Sequence, residues 1–477
     1  MSAHECEPEF QRKLDRKLIF SVLATGLLSF TGVVIETSMN VTFPVLMREF
    51  SITTSSVQWV TTAYLLMLAL IIPLSSYLKK RFFLKYLFCT AILFFVVGTL
   101  LGALATSFSL LIFGRVLQGI GTGIALPLMV NIVLEQVPIR NMGMVMGIAS
   151  LICAMAPAVG PAFGGIIVIF LGWRYIFVSL LPVLIIAFIM GVISIRQSSR
   201  LQNVSFDIRS YLLLSLSFIC LISVFSFSET EAAGMGGVKL IFLAGILCLI
   251  GFLYSVRHAA EPLIHLQTFS YRPFSFSVLA LLLCQFICLA IGFLIPNYAQ
   301  LVSGLDAMTA GCILFPGCLL GALLNPVSGR ILDRYGAKKP ILTGNSLIFL
   351  AVGMFALKMT ETTSEMWVLF YLCFAAGQGL AVGNTQTHGL KGLPAEYAAD
   401  GTAVITTLQQ LAGAMGTAVA AAIVAAAQAA DLGNITDSTR TGAMNTWQLL
   451  FLLSGILWLC AFFSLKSQGV DNDRITG

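Results

Sequence analysis

Pro326-Val-Ser-Gly-Arg-Ile-Leu-Asp-Arg-Tyr335 and Pro73-Leu-Ser-Ser-Tyr-Leu-Lys-Lys-Arg-Phe82 are two versions of one pattern, and their separation decides the fold. Proline, serine and arginine recur at a single offset of 253 residues, and each copy follows a long apolar run. Eight membrane helices with their loops take roughly 250 residues, because each needs about 20 apolar residues to span. The offset therefore predicts two six-helix halves separated by two extra helices. Parallel repeats of this kind are typical of transporters.

The composition excludes a water-soluble protein. Of the 477 residues, 58% are hydrophobic and 10% are charged, whereas a soluble domain has roughly 25% charged residues. So few charges cannot keep that much apolar surface in water, which excludes a soluble enzyme, a disordered chain and a nucleic-acid binder. We expect an all-α, multi-pass protein of the cell membrane, which in a bacterium is the cytoplasmic membrane.

Hydropathy predicts fourteen transmembrane helices and five parts of the chain. The parts are a cytoplasmic segment (1–17), a first six-helix bundle (18–195), a linker with two extra helices (196–273), a second six-helix bundle (274–465) and a cytoplasmic tail (466–477). The predicted spans are 18–44, 57–78, 84–105, 109–134, 143–171, 174–195, 208–228, 238–256, 274–302, 305–329, 339–359, 364–388, 401–428 and 446–465.

The basic residues predict the orientation. With the N-terminus inside, the inner segments hold 21 lysines and arginines and the outer segments hold 5. Because basic residues collect in cytoplasmic loops, both termini are predicted to be cytoplasmic. The remaining basic residue, Arg115, lies within a span.

Arg115 and Glu36 are the buried base and acid of the predicted spans. A charge inside the bilayer is costly, so each must face protein or water and have a partner. Counting residues from the ends of their spans places both a little outward of the midplane, at 1.5 Å per residue. Each residue has two possible roles: a structural hydrogen-bonding group, or part of a charge-coupling site. Gln118, one turn after Arg115, shares its helix face.

A third motif, Ala156-Pro-Ala-Val-Gly-Pro-Ala-Phe-Gly-Gly165, lies in span 5. Proline removes a helical hydrogen bond, and glycine lets a neighbouring helix approach closely. The motif is either a packing kink or a tight, bendable seal between the halves.

In combination these motifs resemble the major facilitator superfamily. The loop from Gly329 is similar to the signature GxLaDRxGxx, and Arg115 begins a match to RxxQGxG in helix 4. Glu36-Thr-Ser-Met-Asn-Val-Thr-Phe-Pro44 is similar to the helix 1 signature of the fourteen-helix drug:proton antiporters. The residues that carry the other matches are Gln118, Gly119 and Gly121; Gly160, Pro161, Gly164 and Gly165 (the antiporter motif); Trp59, Thr62, Ala63 and Tyr64; Trp173 to Phe177; and Asp333, Arg334 and Gly336.

The resemblance implies a proton-coupled antiporter that exports lipophilic, often cationic drugs by alternating access. It implies small lipophilic substrates and protons as partners, the proton gradient as energy source, no cofactor, no metal, no nucleotide and a monomer. The absence of a GxxxxGK[ST] motif is consistent with this, because an ATP-driven pump needs one. Glu36 and Arg115 would couple protons to transport.

The alternatives are a lipid or metabolite carrier of the same fold, and a non-transporting receptor or membrane-embedded enzyme. No paired acids or His/metal cluster that a hydrolase needs lies in the spans, so we expect no enzymatic activity. Polar residues that share a helix face could line a substrate cavity or make structural hydrogen bonds between helices. They are Asn40, Tyr64, Gln285, Asn297, Gln378, Asn384 and Gln409.

The first copy of the loop signature departs from the family pattern. Ser76, Lys80 and Phe83 stand where the family has glycine, aspartate and glycine. A lysine cannot cap a helix N-terminus or pair with an arginine. Any acidic latch at the inner face must therefore depend on Asp333.

Overall fold

The structure, a computed structural model, describes residues 15–197, 201, 206–227, 234–258, 265–359, 361, 363–394, 397–430 and 434–475. Most of the predicted N-terminal segment (1–17) lies outside the described residues. The described residues form helices and no strands.

Within the described ranges, fourteen helices are long and apolar enough to cross a membrane, as the sequence predicted. They are α1 (Arg16–Phe50), α2 (Thr54–Leu74), α3 (Leu84–Ala103), α4 (Phe108–Gln136), α5 (Met144–Phe170), α6 (Arg174–Ser194), α7 (Ile208–Phe225), α8 (Gly237–His258), α9 (Arg272–Leu301), α10 (Ala307–Tyr335), α11 (Lys338–Lys358), α12 (Ser364–Lys391), α13 (Asp400–Ala430) and α14 (Ile435–Lys466).

Several helices are longer than the predicted spans. Helix α1 continues to Phe50, and α14 begins at Ile435, eleven residues before the predicted start. Helix α10 continues through Tyr335, so most of the second loop signature is the end of a helix and not a loop. Gly336 ends this helix with φ of 75°, a conformation that glycine adopts without strain.

The internal repeat is visible in the helix packing. In the first half, a side chain at Gly98 of α3 would lie 2.5 Å from the carbonyl oxygen of Gly114 in α4. In the second half, a side chain at Gly344 of α11 would lie 2.6 Å from the carbonyl oxygen of Gly377 in α12. In both halves, therefore, the corresponding two helices cross with their backbones in contact, which only small residues allow.

The two extra helices pack against each other and against both halves. Phe218 of α7 and Phe252 of α8 belong to one apolar cluster with Leu68 of α2 and Ala414 of α13. This cluster covers the seam where α2 and α13 meet. The extra helices thus lie beside the interface between the halves.

Hydrogen bonds join the two halves near the end of the molecule that the charge distribution predicts to be outside the cell. Thr54, at the start of α2, donates to the side-chain oxygen of Gln428 in α13 at 2.7 Å. Gln300 of α9 donates to the carbonyl oxygen of Val41 in α1 at 3.0 Å. The structure therefore represents a state that is closed at its outer end.

Candidate functional site

Arg115 joins three helices of the first half. Its Nε donates to the carbonyl oxygen of Val60 in α2 at 2.8 Å, and its Nη1 donates to Gln118 at 2.7 Å. Gln118 in turn donates to Thr99 of α3 at 2.9 Å. The side chain of Arg115 is fully buried, and its Nη2 has no hydrogen-bond partner among the described residues. The arginine is thus held rigidly and still has one free donor.

Tyr64 of α2 lies directly against the arginine. The guanidinium carbon is 4.3 Å from the centroid of the Tyr64 ring, a cation–π contact. Helix α4 can approach α2 this closely because a side chain at Gly119 would lie 2.8 Å from the carbonyl oxygen of Tyr64. The hydroxyl of Tyr64 is buried and lies beside Gly32 of α1 and Thr122 of α4.

Glu36 is buried one helical turn after Gly32, with 6% of its surface exposed. Its carboxylate is close enough to interact electrostatically with both Arg115 and Tyr64. No ion pair within 4.0 Å joins it to Arg115 among the described residues. The structure brings the acid and the base into one pocket without direct contact between them.

Asn40 continues the polar face of α1 from Glu36. It accepts a hydrogen bond from Thr61 of α2 at 2.8 Å. Its amide nitrogen faces Gly292 of α9, 3.8 Å from where a side chain would begin. Asn40 therefore lies at the boundary between the two halves.

The second half presents cysteines and a tyrosine to this pocket, which sequence reasoning missed. Cys288 of α9 lies within electrostatic range of Glu36 and beside Gln378 of α12. The hydroxyl of Tyr371 is 3.0 Å from the sulfur of Cys318. These cysteines lie in apolar runs, and a short apolar run does not reveal which face of a helix points inward.

The other predicted cavity residues have varied surroundings. Asn384 donates to Ser328 of α10 at 2.6 Å, a bond within the second half. Asn297 donates to the carbonyl oxygen of Phe293 at 2.7 Å, and its own side-chain oxygen is buried without a partner among the described residues. Gln285 packs beside Gly413 of α13, and Gln409 is half-buried in α13.

The glycine-rich motif of α5 lies against both α1 and α10. Ser38 of α1 donates to the carbonyl oxygen of Gly160 at 2.7 Å. A side chain at Gly164 would lie 2.8 Å from the backbone of Ser38, and one at Gly165 would lie 2.5 Å from the carbonyl oxygen of Ala307. The motif thus brings helices of the two halves into backbone contact.

Pro161 takes part in the same contact from the other side. A side chain at Gly311 of α10 would lie 2.2 Å from the carbonyl oxygen of Pro161. Glycines on both helices are therefore required where α5 crosses α10. We refer to this crossing, formed by Pro161, Gly165 and Gly311, as the glycine seam.

The loop signatures lie at the opposite end from the outer contacts. Asp333 and Arg334 are exposed, and Gly329 has open space around it. Among the described residues Asp333 makes no hydrogen bond or ion pair. In the first copy, Lys79 pairs with Glu135 at the end of α4, so a basic residue of this loop anchors to its own half.

The chain matches proteins of known family along its whole length. A family model described as Major Facilitator Superfamily matches residues 22–417. Lincomycin resistance protein LmrB of Bacillus subtilis is 33% identical over 95% of this chain and 96% of that protein. Riboflavin transporter RibZ of Clostridioides difficile is 27% identical over 80% of this chain and 82% of that protein.

Solved structures show the same fold. A bacterial homologue of the human lysosomal transporter Spinster, in an inward-facing unoccupied conformation, superposes with a TM-score of 0.68 at 15% identity, covering 95% of this chain and 99% of that one. The family match and the named relatives indicate a transport protein and not an enzyme. The chain is a multi-pass membrane transporter that belongs to the major facilitator superfamily.

Proposed function

We propose that the protein is a proton-coupled antiporter that exports lipophilic, often cationic drugs. The relative named for lincomycin resistance, aligned over nearly the whole of both chains, supports drug export. The observation that carries the coupling is the placement of Glu36, which is buried in the same pocket as Arg115 and is not paired with it.

The pocket has the parts that a proton-coupled site needs. Burial disfavours a charged carboxylate, and a nearby guanidinium favours it. Arg115 keeps its charge, and Nη2 is a buried donor with no partner among the described residues. If the halves move, Glu36 can approach that donor and release a proton, or withdraw from it and take one up.

The position of Glu36 also makes protonation depend on substrate. Its carboxylate lies within electrostatic range of both Arg115 of the first half and Cys288 of the second half. A cationic substrate between the halves would stabilise the ionised carboxylate. Proton and substrate would therefore compete for Glu36, and inward proton flow would drive export.

The test is substrate-induced proton release from the purified protein, followed by drug transport in liposomes with an imposed pH gradient. We expect Glu36→Gln to abolish both proton release and gradient-driven transport. Glu365→Gln makes the same chemical change at an exposed carboxylate at the start of α12 and should behave as wild type. If Glu36→Gln keeps both activities, Glu36 is structural and coupling occurs elsewhere.

Arg115→Lys tests the second member of the pair. Lysine keeps the charge but loses the planar donor geometry, so it cannot bond Val60 and Gln118 together as arginine does. We expect partial transport with altered pH dependence. Transport and pH dependence equal to wild type would contradict the role of Arg115.

A metabolite carrier is the second candidate, because a riboflavin transporter aligns with 80% of this chain. The two functions differ in the direction and chemistry of transport. Counterflow assays with lincomycin and with riboflavin in the same liposomes separate them. Uptake of riboflavin without any response to lincomycin or other lipophilic cations would favour the carrier and contradict drug export.

A further inference from the structure

A cavity at the inner end of the first half lies outside the central site. It is open, has a volume of about 320 Å³, and is formed where the start of α3 meets the end of α6. This volume lies at the lower end of the range for small-molecule sites. Its lining residues are Phe83, Lys85, Tyr86, Ile195 and Gln197.

The walls of the cavity are fixed by contacts between α3 and α6. The side-chain oxygen of Gln197 accepts a hydrogen bond from the backbone N–H of Leu84 at 2.9 Å. One turn deeper, a side chain at Gly191 of α6 would lie 2.1 Å from the ring of Phe88 in α3. The two helices therefore approach closely, and the cavity is a built feature of their junction.

The charge around the cavity is basic. Lys80 and Lys85 are exposed, and neither makes an ion pair within the described part of the chain. Two acids of the described part of the chain at this end are already engaged: Glu135 pairs with Lys79, and Asp15 lies 3.5 Å from Arg196. Lys85, the charged residue of the lining, therefore has no acidic partner among the described residues, and an anion would neutralise it.

Two aromatic side chains complete the cavity. Phe83 is 46% exposed and Tyr86 is 64% exposed, and their rings meet edge to face with centroids 5.7 Å apart. They stand at the first turn of a membrane helix, at the level where aromatic residues contact lipid headgroups and the upper acyl chains. A soluble anion would gain nothing from these rings, whereas a phospholipid would.

We propose that this cavity binds the headgroup of an anionic phospholipid of the inner leaflet. Lys85 pairs with the headgroup phosphate, and Phe83 and Tyr86 contact the glycerol and the first methylene groups. Basic pockets between helices on the cytoplasmic side of membrane proteins bind anionic headgroups in this way. The lipid thereby fixes the inner end of the first half, next to the loop that joins α2 to α3.

The second half supplies a matched control. Lys338 lies 253 positions after Lys85, at the same offset as the loop signatures, and it too is exposed. At this offset Gly336 replaces Phe83 and Lys339 replaces Tyr86. The second half thus repeats the lysine and lacks the aromatic pair.

The experiment measures lipid retained by the purified full-length protein with native mass spectrometry. Phosphatidylglycerol and phosphatidylcholine with identical acyl chains are titrated into the delipidated protein in detergent. We expect wild type to bind one phosphatidylglycerol in clear preference to phosphatidylcholine. Lys85→Gln should weaken phosphatidylglycerol binding about fivefold, the ratio equivalent to the ~1 kcal/mol that one basic residue contributes at an anionic surface.

Two further variants make the result interpretable. Lys85→Arg keeps the charge and should bind as wild type, which separates loss of charge from misfolding. Lys338→Gln should leave phosphatidylglycerol binding unchanged. An equal loss in Lys338→Gln, or no loss in Lys85→Gln, would overturn the proposal.

Competition by the soluble headgroup alone distinguishes a lipid site from a site for a soluble phosphate compound. Glycerophosphoglycerol contains the phosphate without acyl chains, so it should not displace phosphatidylglycerol at equal concentration. If it competes equally well, the cavity is a site for a soluble phosphate compound and the lipid proposal is wrong.

Discussion

The guanidinium of Arg115 stacks on the ring of Tyr64, with its central carbon 4.3 Å from the ring centroid. Both side chains are fully buried, so the charge of the arginine is stabilised by the face of the ring and not by water. Tyr64 therefore contacts the base on α4 and lies within electrostatic range of the acid on α1. The ring acts together with the hydrogen bonds to Val60 and Gln118 to position Arg115.

Two substitutions of Tyr64 distinguish the contribution of the aromatic ring from that of the hydroxyl. Tyr64→Phe keeps the ring and its contact with Arg115 and removes only the buried hydroxyl, so stability should change little. Tyr64→Leu removes the cation–π contact, which is worth about 2 kcal/mol in a desolvated site, and should lower the apparent Tm. Size-exclusion chromatography of heated, detergent-solubilised protein measures both. Equal Tm values for the two variants would contradict a stabilising role for the ring.

The sequence was sufficient to predict that Glu36 and Arg115 lie at a similar depth, but not the contact between Tyr64 and Arg115. Charges within apolar runs are rare, and their depth follows from counting residues along a helix. The orientation of the Tyr64 ring depends on how closely α2 approaches α4 at Gly119, which is a tertiary contact. Hydropathy contains no information about such crossings.

The same distinction explains the helix boundaries. Hydropathy located all fourteen helices because each has an apolar core of membrane length. It missed the polar ends of α10 and α14, since a helix can continue beyond the bilayer with charged side chains in water. The sequence therefore predicts a loop at Asp333, whereas this residue lies in the last turn of α10.

The glycine seam predicts a shift in conformation when it is widened. In Gly165→Ala the added methyl would lie 2.5 Å from the carbonyl oxygen of Ala307, so α5 and α10 must separate at their outer ends. We expect a larger population of the outward-open state, measured as longer distances between spin labels on the outer ends of the two halves. Gly147→Ala, in the same helix with no atom within 4 Å of the new methyl, is the matched control. Wild-type distances in Gly165→Ala would show that α5 and α10 accommodate the methyl group without opening the outer end.

The charge bias predicts which end of the molecule faces the cytoplasm. Arg81 and Lys338 are exposed at one end, and Asp437 is exposed at the other. Single cysteines at these positions, in a cysteine-free background, can be probed in intact cells with a membrane-impermeant thiol reagent. We expect labelling at position 437 alone. Labelling at 81 or 338 without labelling at 437 would reverse the predicted orientation.

Asp306 caps the N-terminus of α10 and should make stability depend on pH. Its carboxylate accepts a hydrogen bond from the backbone N–H of Thr309 at 2.6 Å, and this bond lowers the pKa of Asp306 below its ordinary value. Because the folded protein prefers the ionised form, the stabilisation is complete above the unfolded pKa of about 3.9 and is lost as pH falls through the lower folded pKa.

Two variants at this position test the cap. Asp306→Ala removes the acceptor and should cost about 1 kcal/mol at neutral pH. Asp306→Asn keeps an acceptor that does not titrate, so it should retain most of the stability and lose the acid-dependent decrease. Thermal unfolding between pH 3 and pH 7 compares them. An unchanged acid profile in Asp306→Asn would assign the pH dependence to another group.

Asp333 should stabilise the state that is closed at the inner end. It is exposed and unpaired among the described residues in this structure, whose outer end is closed. The first copy of the loop has Lys80 in place of the acid, so Asp333 must supply the contact when the inner ends meet. A hydrogen bond to a charged group contributes roughly 1.5–3 kcal/mol, which shifts a two-state equilibrium more than tenfold at the midpoint of that range.

Asp333→Asn should therefore increase the inward-open population. Spin labels at positions 80 and 391, on the inner ends of the two halves, report this opening as a distance distribution in liposomes. Asp437→Asn, the same change at an exposed acid of the outer end, should leave the distribution unchanged. Because Asp333 is unpaired in the present state, the substitution should weaken only the inner-closed state and leave the apparent Tm of the inward-open form unaltered. A wild-type distance distribution in Asp333→Asn would show that another residue closes the inner end.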